Sequence, residues 1–567
     1  MFRQFLPLVL LIGAAFTYPN PDPKATKNAE RPIVNTPLGQ IQGVILASRL
    51  GKQISAFRGI RYAKAPTEDL RFQPPVPADK WESIYNATQD RPLCPHRTDE
   101  ATSEDCLFLN VYTTKLPKGS DQPKRPVIVF IHGGGFHSLG GGSNWLGPQY
   151  ILDQDVVLVT FNYRLGALGF ISTGDKEAPG NNGLKDQVLV LKWIKDNIAS
   201  FGGDPDAVTL TGYSAGAIAA TLHLVSPMSR GLFHRAIIMS GSGLGQIPIP
   251  HDQLDLAKKQ AKVLDCVDDT SANIIKCLKT RTADQLGESH LKFVEFGDDP
   301  VIIWHPVIEG DFGQERFLTA HPIALIQKGD FAKVPVMIGL TTDEFAARAF
   351  NVLANETLKK QMGEDFQKVA PIAFLYDRDS ENSKTVSDAL KKFYLNDKAL
   401  DNSSLPGLAQ LYSDAIVGFG VNRAAELLSE KSNHSVYYYR FNYKGRYSHF
   451  YLPDSNGTTP FGVVHADDLI YMFYIQKLFP IFKDTDPETQ TVNKFTLLLS
   501  NFAKSGNPIP ETSDKLDSAK WEPYTTKSQK YLDIGNKLVL NEKLNEKRYA
   551  EWTKLFPLSQ YADQKSR

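Results

Sequence analysis

VTLTGYSAGAIAA, residues 208–220, begins as a β-branched run, breaks at Gly212 and continues past Ser214 as a string of helix formers. Within it, Gly212-Tyr213-Ser214-Ala215-Gly216 is a G-x-S-x-G set between an expected strand and an expected helix. That context is the one a nucleophile elbow requires: the turn is so tight that the serine is strained, its hydroxyl is exposed, and only small residues fit two positions to either side. The pentapeptide alone is a weak signal, because glycine, serine and alanine are common. The strand-turn-helix around it separates it from an ordinary glycine-rich turn.

Further strands are expected from continuous apolar runs at PVIVFIH (from Pro126), DVVLVTFNY (Asp155), AVTLTGY (Ala207), HRAIIMS (His234), VPVMIGL (Val334) and SVYYYRFNY (Ser435). Such runs, alternating with helical patterns, are the mark of βαβ units around a buried and largely parallel sheet. LKDQVLVLKWIKDNIASFGGDP spaces its apolar residues three and four apart and ends on glycines, which predicts an amphipathic helix. Residues 252–299 and 351–405 are charged and helical in pattern, without a linker at either end, and are expected to be insertions capping one fold. No repeat or second-domain boundary is visible.

A serine hydroxyl needs a base, and a tetrahedral oxyanion needs aimed donors. IHGGGFHSLGGG follows the strand at Pro126, and its glycines leave backbone N–H groups open to a substrate. The rival interpretation, a phosphate-binding loop, lacks the following lysine-serine/threonine and the supporting acidic residue.

The 567 residues carry 63 basic and 63 acidic side chains, so no net field exists to hold nucleic acid or an anionic membrane. Arg3 precedes an apolar run from Phe5 to Phe16, too short to span a bilayer and shaped like an export signal over residues 1–18, with cleavage expected between Ala15 and Pro19. Residues 19–567 are then expected to form a single domain, exported and without a membrane anchor or GPI tail. Cys94, Cys106, Cys266 and Cys277 fall as two close pairs, which in an exported chain suggests two local disulfides, although three pairings are possible. Neither pair has zinc-ligand spacing, so no metal is expected. Sequons at Asn86, Asn355, Asn402, Asn433 and Asn456 are candidate glycan sites.

AFRGIRYAKAP, LRFQPP, EDCLFLNVY, HGGGF, NYRLGALGF, LKDQ, FGGDPDAVTLTGYSAG, TTDEF, GVVHADDL and FAKSGNP occur in order along the chain. In these the sequence resembles the type-B carboxylesterase and cholinesterase-like family, from about Arg31 to beyond Trp521. The resemblance implies the α/β-hydrolase fold, a mostly parallel central sheet flanked by helices, and a triad in the order serine, acid, histidine. Carried over residue by residue, Ser214 is nucleophile, His465 general base and then acid, and Glu344 the group that orients the imidazole. The backbone N–H groups of Gly134, Gly135 and Ala215 would bind the oxyanion. Asp343 competes for the acid role, and Asp467 and Asp468 are further partners within reach of His465. The resemblance also implies disulfides Cys94–Cys106 and Cys266–Cys277, and scaffold ion pairs Arg71–Glu104 and Arg164–Asp186.

The family usually carries an acidic residue before the nucleophile, and juvenile hormone esterases of insects a glutamine; this chain has Tyr213. Tyrosine keeps a polar tip but removes a negative charge that would favour protonated His465. The segment CPHRTDEATSEDC contains no Phe, Tyr or Trp, whereas the resembled cholinesterases hold there a tryptophan for cationic esters, so choline esters are not expected as preferred substrates. The expected activity is hydrolysis of small neutral carboxylic esters without a cofactor. Clearance of a hormone methyl ester is one alternative, and a catalytically silent binding protein on the same fold is another. Trp304 and the FPIF segment near Phe479 are candidates either for a substrate pocket or for the core. Oligomeric state is not legible.

Overall fold

The computed structural model describes residues 31–561; the expected export signal lies outside them. The central sheet has 11 strands. In chain order these are β1 (Val44–Ala47), β2 (Gln53–Arg61), β3 (Phe108–Thr113), β4 (Arg125–Ile131), β5 (Val157–Phe161), β6 (Gly203–Tyr213), β7 (Arg235–Met239), β8 (Val336–Thr341), β9 (Val436–Phe441), β10 (Lys530–Ile534) and β11 (Leu538–Glu542). Their spatial order is β11-β10-β9-β8-β7-β6-β4-β5-β3-β2-β1. Neighbours from β10 through to β5 run parallel, and antiparallel strands close both edges. This is the α/β-hydrolase arrangement.

All six strands expected from apolar runs are present. Their unbroken hydrophobicity has a simple cause, because side chains alternate between two buried faces. On β4, Val127, Val129 and Ile131 join one core while Ile128 and Phe130 join the other. The first core is covered by α1 (Asn182–Asn197) and α2 (Ala215–Val225), and the second by α3 (Thr489–Ser505). In α1, Leu184, Val188, Leu191 and Ile194 recur at helical spacing and are buried, and the chain then turns out at Gly202 with φ +79°. Between Leu254 and Glu288 lie three further helices, and between Ala346 and Leu395 four more, the two regions expected to be insertions.

Two buried ion pairs tie loops to this frame. Arg164 meets Asp186 with its backbone N–H, Nε and Nη2 at 3.0, 2.8 and 2.6 Å, and both side chains are almost wholly buried. Arg71 bonds Glu104 and also donates to the carbonyls of Leu278, Lys279 and Arg281, where the chain leaves a helix and the Cys266–Cys277 disulfide. Breaking a buried pair strands one charge, so Asp186→Asn is expected to cost about 3–5 kcal/mol of stability. A thermal unfolding midpoint indistinguishable from the parent protein would contradict this.

Both implied disulfides, Cys94–Cys106 and Cys266–Cys277, are formed. The five sequon asparagines, Asn86, Asn355, Asn402, Asn433 and Asn456, are all exposed. Among the described residues no helix is long and apolar enough to cross a membrane.

Candidate active site

Strand order reverses at β4, since β5 lies on one side of it and β6 on the other. Crevices form beyond the carboxyl ends of parallel strands at such a switch. The glycine loop leaves β4 there, and Ser214 leaves β6 beside it.

Ser214 has φ +57° and ψ −122°, a strained conformation for a residue with a side chain. Close backbone approach on all sides imposes it. A Cβ on Gly212 would strike the carbonyl of Gly216, one on Gly216 would strike that of Ile131, and one on Gly241 that of Ser214 itself. The Ser214 N–H donates to the Met239 carbonyl at 2.9 Å, anchoring the elbow to β7. Its carbonyl accepts from Ala217 and Ile218, which starts α2 immediately.

Glu344 follows β8 and His465 follows β9, so the parallel register delivers both to the edge where Ser214 stands. His465 Nε2 is 2.9 Å from Ser214 Oγ, and its Nδ1 is 2.5 Å from Glu344 Oε2. A carboxylate accepts only, which assigns the proton to Nδ1 and leaves Nε2 free to accept the serine proton. Glu344 is fully buried; its second oxygen accepts the Thr341 N–H at 2.7 Å, and its backbone carbonyl accepts the N–H of His465 at 3.1 Å. The acid therefore holds the histidine by side chain and main chain together.

Of the competing carboxylates, two are engaged elsewhere and none bonds the imidazole through its ring nitrogens. Asp343 accepts the Val463 N–H at 3.0 Å, and burial pushes its carboxyl up. Asp467 accepts from Ser448 Oγ, His449 N and Val464 N at 2.8, 2.8 and 2.9 Å. Asp468 is completely buried and makes no hydrogen bond to the imidazole.

The glycine loop folds back on itself, with the N–H groups of His137 and Ser138 both donating to the Gly134 carbonyl at 3.0 Å. Gly134 and Gly135 have φ +100° and +60°, and a Cβ on Gly135 would come within 2.5 Å of the Val301 carbonyl. Among the described residues the N–H groups of Gly134, Gly135 and Ala215 donate to no carbonyl or side chain, which leaves them available as donors.

Two aromatic rings contact the imidazole, and no local sequence pattern signals them. Phe345 lies 4.3 Å and Tyr213 4.8 Å from it between ring centroids. Trp304 is fully buried against Phe293 and belongs to the core, as does Phe479, packed on Tyr447 and His449.

The Carboxylesterase family model matches residues 30–552. Juvenile hormone esterase of Tribolium castaneum is 37% identical over 87% of this chain and 86% of its own length. Esterase FE4 of Myzus persicae is also 37% identical, over 85% and 86%. Among solved structures, that of juvenile hormone esterase from Manduca sexta, with OTFP covalently attached, superposes with a TM-score of 0.83 at 28% identity, covering 93% of this chain and 100% of that one.

Proposed function

The chain belongs to the carboxylesterase family and is a carboxylic ester hydrolase, and from that premise we propose that it is an exported serine esterase acting through a Ser214-Glu344-His465 triad and an acyl-enzyme. The observation that carries this is the unbroken contact line from Ser214 Oγ through the imidazole to buried Glu344.

In the proposed reaction Ser214 Oγ attacks the ester carbonyl carbon while His465 Nε2 takes the hydroxyl proton. The N–H groups of Gly134, Gly135 and Ala215 stabilise the oxyanion. The carbon–oxygen bond to the alcohol breaks, and His465 passes its proton to the departing oxygen. Water then attacks the acyl carbon, gives its proton to His465, and the carboxylic acid leaves as Ser214 regains a proton. Each half-reaction returns the imidazole to its starting state, so no external acid or base is consumed.

Residues 19–567 form one domain in this proposal, following removal of an export signal at residues 1–18. The exposure of Asn86, Asn355, Asn402, Asn433 and Asn456 is compatible with glycans at each. The substrates are neutral esters, because the Cys94–Cys106 loop has no Phe, Tyr or Trp to face a quaternary ammonium group.

A second proposal, hydrolysis of a juvenile hormone methyl ester, is favoured by the juvenile hormone esterases among the relatives. Esterase FE4 matches at the same 37% identity, so resemblance alone does not separate the two. The test is kcat/KM of the purified protein for juvenile hormone against a short-chain naphthyl ester. A preference for the naphthyl ester of tenfold or more is expected; the reverse preference would make the hormone the substrate.

A further inference from the structure

Near Glu344 lie buried polar groups without hydrogen-bond partners among the described residues, namely the hydroxyls of Tyr213 and Tyr439 and both carboxyl oxygens of Asp468. Asp468 is 0% exposed. The backbone N–H groups of Asp468 itself and of Leu469 favour its charged form, but less than burial and the neighbouring carboxylates oppose it. The contrast with adjacent Asp467, whose carboxylate collects donors from Ser448, His449 and Val464, is complete. A carboxylate can be buried only if it is paired or hydrogen-bonded; failing that it takes up a proton.

Taking the proposed triad as its basis, we propose that Tyr213 and Asp468 are positioning residues that leave Glu344 as the single negative charge facing His465. Asp468 sits behind the triad as a neutral carboxylic acid. Tyr213 offers the imidazole an aromatic ring, tilted 37° to it at 4.8 Å between centroids. The imidazolium formed during acyl transfer is then countered by one carboxylate and by cation–π contact with the rings against it, Tyr213 and Phe345.

The surrounding charges agree. Burial first, then the charges of Glu344 and Asp467, hold the Asp468 carboxyl well above the usual carboxylate range. Burial, followed by Glu344, Asp468 and Asp467, likewise keeps the Tyr213 hydroxyl a neutral phenol, with Tyr439 adding in the same direction. At a centroid separation of 4.8 Å the Tyr213 ring is within the roughly 6 Å range of cation–π attraction. Its hydroxyl, by contrast, makes no hydrogen bond among the described residues, so the ring rather than the oxygen carries the role.

The experiment measures kcat and KM against pH for the parent protein and for Tyr213→Phe, Tyr213→Leu and Tyr213→Glu, using the naphthyl ester. Infrared spectra of the parent and of Asp468→Asn are recorded at pH 7 alongside. Tyr213→Leu is expected to lower kcat roughly threefold to thirtyfold with little change in KM, and Tyr213→Phe to restore most of the loss. Tyr213→Glu is expected to move the acid limb of the kcat/KM profile about one pH unit higher, since a carboxylate stabilises the imidazolium. The parent spectrum should contain a protonated-carboxyl stretch that Asp468→Asn lacks. Phosphonylation by a fluorophosphonate, read by mass spectrometry, confirms that each Tyr213 variant keeps a folded site. An unmoved acid limb in Tyr213→Glu, or a parent spectrum without that stretch, overturns the proposal. Ser214→Ala separates the two failures: if it is inactive while those results are negative, the triad stands and only the role of Tyr213 and Asp468 falls.

Discussion

Replacing Ser214 with alanine is expected to lower kcat by about 10⁴- to 10⁶-fold while KM moves only a few-fold. In the proposed mechanism the hydroxyl oxygen forms the acyl bond, and the donors of the glycine loop act on an oxyanion that exists only once that bond is forming. Loss of the nucleophile therefore removes the covalent route and leaves only what binding and the oxyanion donors do for attack by water. Ser240, one strand over at the end of β7, is the natural control. It too has a positive φ, +54°, but its buried hydroxyl meets no partner. Ester hydrolysis and fluorophosphonate labelling should both vanish in Ser214→Ala and survive in Ser240→Ala. A Ser214→Ala protein within tenfold of the parent rate would remove Ser214 from the mechanism.

Glu344→Gln is expected to lower kcat about 10³- to 10⁴-fold, more than loss of one hydrogen bond explains. The reason lies in the second oxygen of Glu344. Because the Thr341 N–H already donates to Oε1, the glutamine must keep its carbonyl oxygen there and turn its NH₂ toward His465 Nδ1. That donor forces the imidazole into the opposite tautomer, with the proton on Nε2, where it can no longer accept from Ser214. Asp343→Asn should cost about tenfold or less, because its carboxyl accepts only the Val463 N–H and an amide oxygen can do the same. Steady-state kinetics of the two variants in parallel checks the assignment. A larger loss in Asp343→Asn than in Glu344→Gln would transfer the acid role to Asp343.

Much of this was legible in the sequence for physical reasons. A parallel strand buried on both faces must be apolar throughout, so β4 through β9 announce themselves as continuous runs. The elbow announces itself because carbonyl contacts at Gly212 and Gly216 exclude any Cβ. The edge strands do not, since β1, β2, β3, β10 and β11 are short, mixed with polar residues or placed among turns, and their pairing is decided by distant partners. The implied disulfides, ion pairs and triad came from ordered motif resemblance, which residue spacing alone does not supply.

The sequence by itself determined the fold class, the serine and its elbow, the glycine loop and the export-signal pattern, because each is a local pattern whose physics acts within a few residues. Which of four carboxylates serves His465 was left open at the level of the residues. Only the tertiary structure shows which of them meets the imidazole: donors from Thr341, Val463 and Ser448 direct Glu344, Asp343 and Asp467, Asp468 is buried with no hydrogen-bond partner among the described residues, and Glu344 alone bonds His465 Nδ1. The place of Tyr213 was decided in the same way. Whether its ring or its hydroxyl faces the imidazole depends on β6 and β9 converging on one edge of the sheet, and no interval along the chain records that.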